Sequence, residues 1–377
     1  MEVVIVDPID IRSPGAGGVA SYITAILPYL LNDGIEVTLI GISHGKNKIN
    51  PGYNYISIVD KSKVSGYEYF VNLVLKAKSL RIQDNCIIHA QRPDFMFPFT
   101  LFYKKNPKMC TLHGFVNKGI HYKQGKVVGK IYDAIERFVL KRVSKVIAVN
   151  EETKECYINN YPWLKDKISV ISVGIDTEKF KPMNKEEVKK KYGFNENDKI
   201  ILYVGRLEKE KTVNLLIKSF GEVKNKEKNA KLVLVGGGRE KNRLEELVKE
   251  LKLKDVIFMG TLEHDKIPEI INCAEVFALT SLYESGPLVT QEALACGVPV
   301  VSVDVGRVRE FIQNELIGKI VDRDKENIAD ALIHFLEIRN YEAIKKTCRE
   351  TALRFSFKNT AKQTIDVYRE IVVGNLS

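Results

Sequence analysis

Two glutamates stand eight positions apart, Glu284 and Glu292, and bracket the stretch ESGPLVTQE. The run EVFALTS before it reads as a strand, and LVTQEALACG after it reads as a helix that Gly297 stops. Ser285 or Gly286 can cap that helix, and Pro287 suits its first turn, where no amide donor is needed. The backbone N–H groups of Leu288 and Val289 are then left bare at a helix N-terminus. Such a terminus binds anions, most often phosphate. A carboxylate placed just ahead of a phosphate site makes sense if the phosphate carries a group rich in hydroxyls, whose protons the carboxylate accepts. Glu284 would hold one part of that ligand and Glu292 another. The spacing also fits a plainer arrangement, with Glu284 favouring the helix dipole and Glu292 paired with a lysine.

The stretch GRLEKEK follows the strand-like run IILYV. Gly205 turns the chain, Arg206 leaves at the strand tip, and Lys211 lies near the start of the next helix. Two cations at the mouth of one sheet neutralise a diphosphate. In the first half of the chain, SPGAGGVA precedes a helix, and its Gly17 and Gly18 let the backbone come close to a phosphate or a sugar. His113, in TLHG, follows another strand; taken alone it serves equally well as a core histidine. GAGGVA also fits a dinucleotide-binding fingerprint, but DPIDIRSP separates the first strand from the first glycine. The next strand, EVTLIGIS, ends without an acid to hold a ribose. Those two features count against a dehydrogenase. There is no P-loop and no G-x-S-x-G elbow.

The elements that must position these residues alternate along the chain. In the first half EVVIVDP, EVTLIGIS, NYISIVD, CIIHAQ, MCTLHG and KVIAVN read as strands, and Ala20 to Leu31 has helical apolar spacing closed by Asp33-Gly34. In the second half KIILYVG, AKLVLVGGG, DVIFMG, EVFALT and VPVVSVD alternate with VNLLIKSFGEVK, NRLEELVKELKL, IPEIINCA and LVTQEALACG. This is the pattern of parallel sheets built from βαβ units. A chain of 377 residues is long for one core. The expectation is α/β, with two Rossmann-like doubly wound domains, residues 1–178 and 179–358, facing across a cleft at the carboxyl ends of their strands. The Lys/Glu-rich segment 176–199 reads as the linker. A last helix within 359–377, from Asn359 to Val372, is free to pack back on the first domain.

Composition narrows the classes. Hydrophobic residues make up 45% and charged residues 28%, as in ordinary globular proteins. No apolar run is long enough to span a bilayer, and the acidic start MEVVIVDPID does not read as a signal peptide. The six cysteines are far apart, with no CxxC, so reduced thiols, a cytoplasmic location and no structural metal are expected. The net charge of +10 is concentrated in the first half, most densely in residues 118–145, with eight Lys/Arg against two acids. That segment also carries Tyr122, Val127, Val128, Ile131, Tyr132, Ile135 and Phe138. It reads either as a solvated helix face or as a basic, amphipathic surface for a lipid-phosphate carrier at the inner membrane face. The pI of about 9.0 alone does not make a nucleic-acid binder, because the positive charge lacks interleaved aromatics or a known module.

With these pieces assembled, the sequence resembles the retaining GT-B glycosyltransferases of family 4, also called glycosyl transferases group 1. The resemblance rests on GRLEKEK, LVLVGGGREKNRLEELVKEL, VGIDTEKFKP and the long stretch VIFMG to VSVDVG around E-x7-E. In the first half it rests more loosely on the Gly17-Gly18 loop, HAQRP, TLHG and VIAVNEETK. It implies a hexose or N-acetylhexosamine moved from a nucleotide-diphosphate sugar, a UDP-sugar before GDP-mannose, to a hydroxyl of a glycan, glycolipid or lipid carrier. By this carry-over Glu292 binds ribose hydroxyls, and Glu284 contacts the transferred sugar. Arg206 and Lys211 hold the diphosphate with the Leu288 and Val289 amides and the Ser285-Gly286-Pro287 turn. His113 sits near the reacting centre. No cofactor and no metal are implied beyond the sugar nucleotide. Gly286-Pro287, Thr212 and Gly306-Arg307 depart from the family pattern; Arg307 and Arg309 add positive charge that reads either as part of the site or as solvated. A nucleotide-sugar epimerase of similar build and a non-catalytic nucleotide-sugar binder are the alternative readings.

Overall fold

The computed structural model describes residues 1–10, 18–43, 52–61, 64–114, 125–284, 286–338 and 341–374, apart from the Lys126 side chain. Gly17, Ser285, Tyr122 and the rest of residues 115–124 lie outside the described residues. The chain forms two compact units, Met1–Gly174 with Phe357–Ser377, and Ile175–Ser356.

The first unit is built on seven strands: β1 (Glu2–Val6), β2 (Glu36–Ser43), β3 (Asn54–Asp60), β4 (Ile87–Ala90), β5 (Lys108–Leu112), β6 (Lys145–Ala148) and β7 (Ile168–Val170). They lie in the order β3-β2-β1-β4-β5-β6-β7 and every pair is parallel. Among the described residues five helices are interleaved: α1 (Gly18–Asn32), α2 (Gly66–Lys76), α3 (Pro93–Phe102), α4 (Lys126–Leu140) and α5 (Glu151–Asn160). Strands such as β1, EVVIV, are apolar at successive positions because both faces of the sheet are covered. One face packs Val4, Val6 and Ile88 against Tyr69, Phe95 and Val139; the other packs Val3, Ile5 and Ile87 against Ile23, Ile26 and Tyr368. The side chains of Ser65 and Asn150 accept from Glu68 N and Thr153 N and so start α2 and α5.

The second unit has six parallel strands: β8 (Lys199–Val204), β9 (Ala230–Val235), β10 (Val256–Gly260), β11 (Val276–Leu279), β12 (Val300–Val303) and β13 (Gly318–Val321). Their order is β10-β9-β8-β11-β12-β13. Among the described residues eight helices follow in chain order: α6 (Lys185–Lys191), α7 (Val213–Lys226), α8 (Lys241–Glu250), α9 (Ile267–Asn272), α10 (Leu288–Ala295), α11 (Val308–Phe311), α12 (Lys325–Leu336) and α13 (Tyr341–Leu353). The last helix, α14 (Phe357–Gly374), belongs to the first unit, where Ala361, Ile365 and Tyr368 enter the core and Thr360 donates to Ser172 O.

Segment 176–199 is not a linker but part of the second unit. It contains α6, capped by Asn184, and buries Phe180 and Val188. The composition misleads because one of its lysines is satisfied inside: Lys189 Nζ donates to Asp198 O at 2.6 Å and to Glu275 Oε1 at 2.9 Å. A cavity of about 480 Å³ lies beside this network, lined by Lys185, Lys199 and Glu275. It opens at the amino ends of the strands, away from the edge where α/β sheets bind ligands. No cysteine forms a disulfide. No helix among the described residues is long and apolar enough to cross a membrane.

Candidate active site

In each sheet the strand order reverses once, between β1 and β4 in the first unit and between β8 and β11 in the second. Loops leaving adjacent strands diverge at such a point and leave a crevice at their carboxyl ends. In the second unit the diverging loops are the two singled out by their charges. Lys211, after β8, and Glu284, after β11, meet there: Lys211 Nζ donates to Glu284 Oε1 at 2.6 Å, with both side chains about five-sixths buried. Ser281 Oγ donates to the same oxygen at 2.7 Å. With two donors on Oε1, the second carboxylate oxygen remains for an incoming hydroxyl.

Backbone ties hold the two loops in register. Leu282 N donates to Glu210 O at 2.7 Å, and Arg323 Nη1 donates to the carbonyls of Thr280 and Ser281 at 2.8 Å each. Thr212 hydrogen-bonds through its hydroxyl to Thr280 O and takes a left-handed conformation at φ +43°. That backbone is the one a glycine would supply, so the departure at this position leaves the loop geometry of a glycine in place. Tyr203 Oη donates to Arg206 O at 2.9 Å and braces the turn from below. Gly236 and Gly238 have a packing role: a Cβ on either would meet Gly205 O at 1.9 Å or Leu207 O at 2.2 Å. Arg206 itself is mostly exposed and pairs with Glu210 at 3.2 Å, an interaction weak enough for a ligand anion to displace.

The helix that follows Glu284 starts at Leu288, as the run LVTQEALACG reads. Pro287 occupies the capping position, with φ −74° and ψ 86°, rather than the first turn, and no side chain among the described residues caps α10. The Thr290 hydroxyl and N–H both donate to Pro287 O, which tightens the turn. The N–H groups of Leu288 and Val289 donate to no carbonyl among the described residues. Gly286 is half-buried with Arg307 Cδ 3.9 Å from where its Cβ would stand. Glu292, in the second turn of α10, pairs with no lysine among the described residues. Its Oε1 faces His264 Nε2 at 3.7 Å. Lys179 Nζ donates to His264 Nδ1 at 2.7 Å, so the ring proton sits on Nε2 and points at the carboxylate. Gly306, at φ +54°, lets the Glu284 backbone pass: a Cβ would lie 2.5 Å from Glu284 O. Arg307 is not solvated; its side chain is buried and forks onto Glu310 at 2.9 and 2.5 Å, while the exposed Arg309 pairs with Asp304.

In the first unit Gly18 opens α1, with nothing among the described residues within 4 Å of where its Cβ would stand. His113 stands immediately after β5 and is held from behind. Its Nε2 donates to Gln91 Oε1 at 2.9 Å, and the Gln91 amide nitrogen lies 3.4 Å from His89 Nε2. His89 in turn bonds Thr111 Oγ1 and Tyr368 Oη, each at 2.7 Å. With its proton on Nε2, His113 keeps Nδ1 as an acceptor. Burial depresses His113 to a pKa of about 4 and His89, which also faces His113, to about 3. Both rings are therefore neutral at pH 7. Ser281, Arg323, Tyr203, His264 and the Gln91–His89–Tyr368 chain were not singled out by sequence spacing; Ser281 and Tyr203 reach partners three residues on, and the others reach partners on other elements.

Comparison with known proteins gives the class. Residues 184–352 match the family Glycosyl transferases group 1, and residues 16–179 match Glycosyltransferase Family 4. The chain belongs to this family and is a glycosyltransferase of GT-B fold. Among its relatives is an uncharacterized glycosyltransferase of Methanocaldococcus jannaschii, 28% identical with 94% of each chain covered. Another is the UDP-Gal:alpha-D-GlcNAc-diphosphoundecaprenol alpha-1,3-galactosyltransferase of Escherichia coli, 28% identical over 70% of this chain and 69% of that one. In fold it is similar to Anabaena HepE, solved in complex with UDP, at a TM-score of 0.72 and 19% identity, covering 98% of this chain and 100% of that one.

Proposed function

We propose that the enzyme moves a hexose or N-acetylhexosamine from a UDP-sugar, or next from GDP-mannose, to a hydroxyl of a glycan, glycolipid or lipid-carrier acceptor, with retention of the anomeric configuration. The observation that carries this is the Lys211–Glu284 pair at the β8/β11 reversal, beside the bare amides of Leu288 and Val289. Lys211, Arg206 and the two amides hold the diphosphate and take up the charge that develops as it leaves. These fixed donors supply the electrostatic stabilisation, so no metal is required and none is named as a cofactor. Glu284, oriented by Lys211 and Ser281, accepts from hydroxyls of the transferred sugar. Glu292, oriented by His264, accepts from the ribose. Gly17, Gly18, the Ser285-Gly286-Pro287 turn and His113 keep the roles that the family resemblance assigns them, with His113 acting as a neutral ring.

Two relatives support the donor and acceptor classes. HepE was solved with UDP, and the Escherichia coli relative is named for UDP-Gal and a diphosphoundecaprenol-linked sugar. Calorimetry against UDP, GDP and their sugars, with and without EDTA, tests the reading. One uridine or guanosine ligand should bind the wild type regardless of EDTA, and Glu292→Ala and Arg206→Ala should each weaken it by about tenfold or more, the size of a lost charge-assisted contact. Equal binding by all three proteins would rule the assignment out.

A further inference from the structure

A second cavity, of about 200 Å³, opens in the first unit between α2 and α4. Its walls are apolar: Phe70 from α2 and Val128, Ile131 and Ile135 from α4. Its base is polar and incompletely bonded. Arg92 leaves the end of β4, beside the strand reversal of this sheet, and its Nε and Nη2 fork onto Asp94 at 3.0 and 2.7 Å while the guanidinium lies 4.6 Å above the Phe95 ring. Its Nη1 has no partner among the described residues and faces Gly66, where a Cβ would stand 2.7 Å away and fill the space. The Tyr132 hydroxyl is buried at the same base without a hydrogen bond, because the adjacent Glu136 carboxylate is taken by Tyr157 and Tyr161 at 2.9 Å each. Buried polar groups without partners are rare in a folded chain and mark a place where a ligand completes the bonding. Around the mouth, Tyr67, Val127 and Ile131 are left more than half exposed. Lys130 and Arg137 stand exposed on the same helix.

We propose that this cavity seats the first hydrocarbon units of a lipid-phosphate acceptor, with an oxygen of its phosphate ester meeting Arg92 Nη1 and the Tyr132 hydroxyl. Aliphatic walls with one donor-rich spot fit an alkyl or isoprenyl chain joined to an anion. A free oligosaccharide would leave the walls unsatisfied. The inference rests on the lipid-carrier form of the acceptor reading above.

Calorimetry on the full chain with farnesyl diphosphate, inorganic pyrophosphate and farnesol tests it. Farnesyl diphosphate should bind at least about tenfold more tightly than pyrophosphate, and Ile131→Asp, a change at an exposed position, should remove at least about tenfold of that affinity. Tyr132→Phe should weaken farnesyl diphosphate and leave farnesol unchanged, and both variants should bind nucleoside diphosphate as the wild type does. Farnesyl diphosphate binding no better than pyrophosphate, or falling with Arg206→Ala but not with Ile131→Asp, would overturn the proposal. A wild type that binds farnesyl diphosphate in this way but no nucleoside diphosphate would strike the donor reading and leave this one standing.

Discussion

At the scale of single residues, burial decides which groups carry charge. His89 and His113 are held neutral, so the unfolded chain takes up protons between about pH 6.5 and pH 4 that the fold does not, and stability is lost as pH falls through that range. Asp7 acts with the opposite sign. Burial at the end of β1 raises its pKa to about 7, against the pull of Arg92 and with the push of Asp94. Between about pH 4 and pH 7 the fold therefore binds a proton that the unfolded chain has released, and stability declines as pH rises. Asp7→Asn, which keeps the neutral shape, should be more stabilising relative to wild type at pH 7.5 than at pH 4.5 in urea melts. An equal difference at both pH values would contradict the burial of a charge there. Glu284, Glu292, Arg206 and Lys211 stand out in sequence because their types are unusual at strand ends. Their orienting partners do not: Ser281, His264 and Tyr203 are common residues whose value comes only from the place to which the fold brings them.

At the scale of elements, most strands and the helices around the site are visible in sequence, because parallel strands covered on both faces leave uninterrupted apolar runs. Elements that escape notice include the short β7 and β13, the single-turn α11, α6, whose Lys/Glu composition resembles a linker, and the longer helices α2, α3, α5, α12 and α13. Cap positions also shift. The cap of α10 falls on Pro287 rather than on Ser285 or Gly286, and Pro287 accepts two hydrogen bonds from Thr290 at its carbonyl. The loop after β12 shows how tightly neighbouring elements set the site. Gly306 passes the Glu284 carbonyl so closely that a methyl group cannot be added. Gly306→Ala should cost about 2–4 kcal/mol, shared between stability and donor affinity, through the clash and the positive φ. Thermal melts with and without nucleoside diphosphate would measure both parts; an unchanged melting temperature with unchanged ligand-induced stabilisation would show that the loop gives way at no cost.

At the scale of the molecule, the two units repeat one architecture and divide its uses. Each is a parallel sheet with a strand reversal, and each places its unusual polar groups at that reversal: Lys211 and Glu284 in the second unit, Gln91 and Arg92 in the first. The division was legible from the alternation of elements, and the family match covers both halves. The return of α14 to the first unit, a placement open to the last helix in sequence, brings Tyr368 into the chain of bonds behind His113. The central claim is that Lys211, set by Glu284, grips the diphosphate of the sugar donor. Phosphorus NMR of UDP titrated into the protein measures this directly. The β-phosphate resonance should shift on binding to the wild type, or with GDP if guanosine is the base. In Lys211→Ala most of that shift should vanish, with a fall in transfer rate matching about 2–4 kcal/mol. The same shift in both proteins would mean that this lysine does not touch the phosphate.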